Sequence, residues 1–129
     1  MKIRYLIDTS AVVKYLHRTF QRNAIQFLNR TFENEIVISF MTEIELKVWT
    51  PPIESDKEVY LEFLTECKII GIEQKVIDKT AELRRQHGVK IPDAIIAATA
   101  ICNGFTLVTD NEKDFARINE LKQLYPNRI

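Results

Sequence analysis

The chain has 129 residues, and its 18 Lys plus Arg balance 18 Asp plus Glu to a formal net charge of zero. Apolar residues make up 46%, enough to build a core without staples, yet no stretch supplies the ~20 consecutive apolar residues of a membrane span. Two distant cysteines, two isolated histidines and only three glycines exclude a disulfide scaffold, a structural zinc site and Gly-rich phosphate loops.

Ile3 to Ile7 form a short apolar, β-branched run that stops at Asp8, which reads as a first strand and is too short for a secretory leader. Ala11 to Leu16 follow as a helix capped by Thr9 or Ser10. Asn23 to Phe32 continue with helical periodicity at Ala24, Phe27, Leu28 and Thr31. Ile36 to Ile38 make a second, buried strand, running into a helix from about Phe40 to Trp49 that Pro51 and Pro52 terminate. Ser55 to Cys67 read as an amphipathic helix opened by a Ser55-x-x-Glu58 capping box, and Lys68 to Ile72 as a third strand. Glu73 to His87 carry an apolar stripe at Val76, Ile77, Thr80 and Leu83, with Gly88 at the place of a left-handed cap. Asp93 to Cys102 are apolar all round, which predicts a buried helix. Thr106 to Val108 are a fourth strand, Glu112 to Ile118 a short helix, and Leu121 to Tyr125 a fifth, edge strand stopped by Pro126. This alternation predicts an α/β fold with a mostly parallel sheet of four or five strands and right-handed crossovers. No linker or repeat divides residues 1–129, which read as a single domain.

The carboxylates fall in a pattern. Asp8 follows the first strand directly, Glu45 lies in the helix after the second, and Asp93 opens the buried helix before the fourth. Asp110 follows the fourth strand, and Asp114 stands one helical turn beyond it. In an open parallel sheet the C-terminal strand ends line the ligand crevice, so Asp8 and Asp110 share it if their strands are neighbours. Each acid also has an ordinary use. Asp8 suits a helix N-cap, Thr42-x-x-Glu45 matches a capping box, Asp93 suits a first helical turn, and Asp110 and Asp114 suit a turn and a solvated helix. Together they point elsewhere. Two unit charges ~4 Å apart repel by about 4 kcal/mol at an effective dielectric of 20, so a group of them calls for a cation. Oxygen donors without His or Cys favour Mg²⁺ or Mn²⁺ over zinc, and such a centre activates water against a phosphodiester.

The stretches LIDTSAVVKYL, ISFMTEIEL, IPDAIIAATA and LVTDNEKDF, in this order, resemble a PIN domain, and within that family the VapC-type toxins of toxin–antitoxin systems. The resemblance covers essentially the whole chain. It implies a three-layer α/β/α sandwich and a Mg²⁺- or Mn²⁺-dependent endoribonuclease that leaves 5′-phosphate and 3′-hydroxyl ends. Asp8 matches the family's first acid, Glu45 its second and Asp93 its third; Asp110 and Asp114 both qualify as the fourth. Asp8 and Asp93 would hold the metal directly and a metal-activated water would attack the phosphorus. Thr9, Ser10, Thr109 and Asn111 match supporting positions. Lys14 is a candidate phosphate contact, with a solvated lysine as the competing use. Where the family often has Gly after the second segment, this chain has Lys47-Val48-Trp49. The resemblance further implies a cytoplasmic protein, a tRNA, rRNA or mRNA substrate, a small cognate antitoxin and a homodimer. Trp49, Tyr60 and Phe63 are candidates for the dimer's apolar surface, with core packing the competing use. A PIN-type RNA-processing nuclease outside a toxin system and a non-catalytic RNA- or protein-binding module are the alternatives. A haloacid-dehalogenase-like phosphatase would need a second Asp where Ser10 stands, and a receiver domain an adjacent acid pair that is missing.

The zero net charge is a sum of unlike parts. Residues 1–30 hold six bases against Asp8 alone, and residues 31–66 hold nine acids against Lys47 and Lys57. That distribution is compatible with an RNA-cleaving site and excludes tight binding driven by bulk positive charge.

Overall fold

The computed structural model describes residues 2–129. Short β-branched and apolar segments pair as five strands: β1 (Tyr5–Ile7), β2 (Val37–Ser39), β3 (Lys68–Ile70), β4 (Thr106–Val108) and β5 (Gln123–Leu124). All pairings are parallel and the order across the sheet is β3-β2-β1-β4-β5. Parallel strands need crossovers, which the helices supply: α1 (Thr9–Leu16), α2 (Arg22–Asn34), α3 (Phe40–Val48), α4 (Glu54–Thr65), α5 (Gln74–His87), α6 (Ile91–Asn103) and α7 (Glu112–Phe115). A 3-10 turn at Pro126–Arg128 ends the chain.

The two-residue period of the strands sorts their side chains into two cores. Leu6, Val37 and Leu107 face a cluster with Val76 and Leu83 of α5, Ile96, Ala97 and Ala100 of α6, and Phe115 of α7. Ile7, Ile38 and Val108 face the other way, onto Val12 of α1, Ala24 and Leu28 of α2, and Tyr60 and Phe63 of α4. The result is the α/β/α sandwich, with five strands. Helix α6 is buried as its composition predicts, from Ala94 to Ala100 apart from the half-buried Ile95.

Several expected boundaries move. Ile3 is 62% exposed and stands before β1, since nothing packs on it. The first helix starts at Thr9, not Ala11, with Asp8 in the N-cap position; the second extends to Arg22–Asn34. The capping box at Ser55 and Glu58 does not form. Ile53 is the extended residue before α4, so Ser55 already lies inside the helix, where it cannot cap. Cys67 falls outside α4, β3 stops at Ile70, and Ile77 is 49% exposed rather than part of the buried stripe. The buried helix begins at Ile91, not Asp93, and takes Pro92 in its first turn, where a missing N–H is harmless. The short helix ends at Phe115 and the edge strand shrinks to Gln123–Leu124. Gly88 holds the expected left-handed cap at φ 65°. Of the three apolar interface candidates, Tyr60 and Phe63 are core residues and only Trp49 is exposed. No helix among the described residues is long and apolar enough to cross a membrane.

Candidate active site

The chain order reverses direction across the sheet between β1 and β4: β2 and β3 lie on one side of β1, β4 and β5 on the other. That is the switch point, where the two crossovers diverge and leave a crevice at the strands' C-terminal ends. Asp8 sits there, 4% exposed, its backbone N–H continuing the ladder to the Val108 carbonyl at 2.9 Å.

A small set of hydroxyls holds the Asp8 carboxylate. Ser10 and Thr109 both donate to Oδ2, at 2.5 and 2.8 Å. Each hydroxyl is aimed by a backbone N–H that it accepts: Asp110 N–H at 3.1 Å on Ser10, and Asn111 N–H at 2.9 Å on Thr109. Their single protons are thus committed to Asp8, and Oδ1 receives neither. Asp8 takes the N-cap position of α1 without a capping side-chain bond. Burial pushes its pKa up, while Ser10, Thr109 and the N–H groups of Thr9 and Ser10 pull it back.

Glu45 reaches the same place from α3. Thr9 Oγ1 lies 2.7 Å from Glu45 Oε1 and 3.0 Å from Thr42 Oγ1. The hydroxyl has one proton, and the carboxylate, which cannot donate, takes it. The capping box expected from Thr42 and Glu45 is absent because Ser39 caps α3, accepting from Met41 N–H at 3.0 Å. Half-burial and the neighbouring Asp8 raise the Glu45 pKa against the pull of Thr9.

Asp93, in the first turn of α6, feels all the others. Desolvation and then the charges of Asp114, Asp8 and Glu45 push its pKa up to about 6, against the pull of Lys90. Asp114 is oriented by Asn111, whose amide donates to it at 2.6 Å. Asp110 is different. It is ion-paired with Lys14 at 3.0 Å. The structure therefore brings Asp8, Glu45, Asp93 and Asp114 together with Thr9, Ser10, Thr109 and Asn111, and sets Asp110 and Lys14 at the rim as a pair. Among the described residues, no three His, Cys, Asp or Glu side chains stand close enough together to hold a metal ion as they are placed. The sequence pairs Thr42 with Glu45 only as a capping box; the structure instead places it fully buried beside Thr9. The cysteines play no part, and burial pushes the Cys67 thiol up to about 12.

The chain is similar to known proteins. A family model for the PIN domain matches residues 5–121. The ribonuclease VapC of Rickettsia bellii (strain RML369-C) is 30% identical, over 92% of this chain and 93% of its own length. A chain of a toxin–antitoxin complex from Klebsiella pneumoniae superposes with a TM-score of 0.73 at 30% identity, covering 95% of this chain and 97% of that one. A chain of VapBC2 from Rickettsia felis, bound to a DNA fragment from its promoter, superposes with a TM-score of 0.78 at 28% identity over 95% and 98%.

Proposed function

This chain belongs to the PIN-domain family, and on that premise we propose that it is a divalent-metal-dependent endoribonuclease, the toxin of a toxin–antitoxin pair. The observation that carries the reading is the Asp8 carboxylate buried at the switch point under the Ser10 and Thr109 hydroxyls, with Glu45 held beside it through Thr9 and Asp93 raised in pKa by burial and by Asp114, Asp8 and Glu45. The ribonuclease from R. bellii and the toxin–antitoxin complexes from K. pneumoniae and R. felis support the substrate class and a small antitoxin as partner. The reading puts the protein in the cytoplasm with its RNA, working as a single domain.

The donor set fits a hard divalent cation, Mg²⁺ or Mn²⁺, because it is oxygen-only and its acids raise one another's pKa. Asp8 and Asp93 would hold the ion, with Glu45 and Asp114 completing the set. Such an ion supplies a nucleophile at neutral pH and offsets charge gathering on the phosphate. The chain's own residues supply position. Ser10 and Thr109 fix the Asp8 carboxylate, Thr9 fixes Glu45 and Asn111 fixes Asp114, so the crevice presents preset charge to a phosphodiester rather than reorganising around it.

Asp8→Asn and Asp93→Asn each reduce metal-dependent cleavage of single-stranded RNA by about a hundredfold or more. Asp114→Asn falls with them, whereas Asp110→Asn stays within a few-fold of the unmodified protein. Full activity in D8N or D93N overturns the assignment, and loss in D110N with retention in D114N reverses the choice of fourth acid.

A further inference from the structure

We propose that the outer face of Trp49 is a stacking platform for an unpaired base of the RNA strand that enters the acidic crevice, an inference that rests on the nuclease reading above. Trp49 is 38% exposed, and it is anchored from behind. Its ring stacks on buried Tyr60 with centroids 4.9 Å apart and planes 20° from parallel. His17 stands nearly perpendicular to both rings, 6.2 Å from Trp49 and 5.9 Å from Tyr60, and its Nε2 lies 2.8 Å from the Tyr60 hydroxyl. These centroid distances form an acute triangle, so His17 lies on the Tyr60 side of the indole and not over its other face. Lys57 fixes the backbone behind it, donating to the carbonyls of Leu46, Lys47 and Trp49 at 3.4, 2.5 and 3.1 Å.

The location matters as much as the exposure. Trp49 closes α3 one turn after Glu45, whose carbonyl its N–H reaches at 3.2 Å, so it stands roughly 6 Å along the helix axis from that acid. A groove of about 510 Å³ starts at Thr9 and Ser10, which hold Glu45 and Asp8, passes Val13 and Lys14, and ends at His17 and Thr19. His17 thus joins the groove to the aromatic stack. A second hollow of about 370 Å³ opens beside the indole, walled by Thr50, Pro51, Pro52 and Glu54. Lys14 in the groove is ion-paired with Asp110, and Arg18, between His17 and Thr19 in the chain, lines a neighbouring hollow with Tyr15 and Arg22. An exposed indole one turn from Glu45, beside a groove that leads to the acids, suits a single-stranded nucleic acid. Every base has a π-face to stack, and in a duplex those faces are already taken.

Trp49 is the only tryptophan in the chain, so its fluorescence reads the platform directly. The full-length protein is titrated in EDTA, which keeps RNA intact, with a single-stranded oligoribonucleotide, its duplex and inorganic polyphosphate. Kinetics with metal follow for the unmodified protein, W49A and W49F. The expected results are quenching by the single strand, little by the duplex and none by polyphosphate. KM rises roughly tenfold to a hundredfold in W49A, with kcat almost unchanged and W49F largely restored. An unchanged KM in W49A alongside normal cleavage overturns the platform and leaves the nuclease reading intact. Trp49 emission that shifts with protein concentration in the absence of RNA also overturns it, since a second copy then covers the face. Absence of both cleavage and RNA binding in the unmodified protein removes the nuclease reading and the platform together.

Discussion

Asp93 bears its negative charge against burial and its acidic neighbours. Burial first, then Asp114, Asp8 and Glu45, raise its pKa to about 6, and Lys90 opposes them. The folded value lies above that of an unfolded aspartate, so the ionised native form is the destabilised one. The penalty is complete above about pH 6 and disappears as pH falls toward the unfolded value near 4. In metal-free solution Asp93→Asn should therefore raise Tm at pH 7.5, by about 1 kcal/mol or a few degrees once solvent screening of this half-buried group is allowed for. The gain should fade by about pH 4.5; a pH-independent difference in melting scans would refute the electrostatic account. At this scale the sequence was readable where an acid abuts a strand, as at Asp8, because strand ends define the crevice. It was not readable where the answer depends on a distant partner. The Lys14 to Asp110 ion pair that separates Asp110 from Asp114 joins residues 96 apart, and no local pattern announces it. The contact of Thr42 was hidden for the same reason: it is with Thr9 on another helix.

Elements are set by their ends as much as by their faces. The strands, the buried α6 and the Gly88 cap were legible because periodicity, all-round apolarity and a lone glycine are local signals. The two capping boxes were not, since a box works only if its Ser or Thr is the extended residue before the helix, and Ile53 and Ser39 hold those places. The C-terminus of α3 is closed by a side chain from another helix, Lys57 of α4, which takes three otherwise unpaired carbonyls and meets the negative end of the helix dipole. Lys57→Met should cost about 1 kcal/mol of stability, a Tm loss of roughly 3–5 °C, and should broaden the emission of Trp49. Unchanged melting would show that water serves those carbonyls equally well.

For the molecule as a whole, the proposed cation would relieve the acids of their mutual repulsion. Divalent ions should raise the Tm of the metal-free protein in proportion to the logarithm of their concentration, reaching about 2.7 kcal/mol at a hundred times Kd. Asp8→Asn should flatten that response, and a flat response in the unmodified protein would show that the acids do not act as a cation site. The three-layer architecture follows from the alternation of strands and helices, but the strand order does not, because alternation alone does not say on which side of β1 the later strands add. That order has a temporal consequence. The Thr109 hydroxyl that fixes Asp8 comes from a position 101 residues later, and Asp93 and Asp114 are also late. At about 5–20 residues per second of synthesis, Asp8 waits roughly 5–20 s for its partners. The emerging chain is therefore inert through most of its own translation, and the interval in which a neighbouring protein can capture it before it is armed is written into the order of its strands.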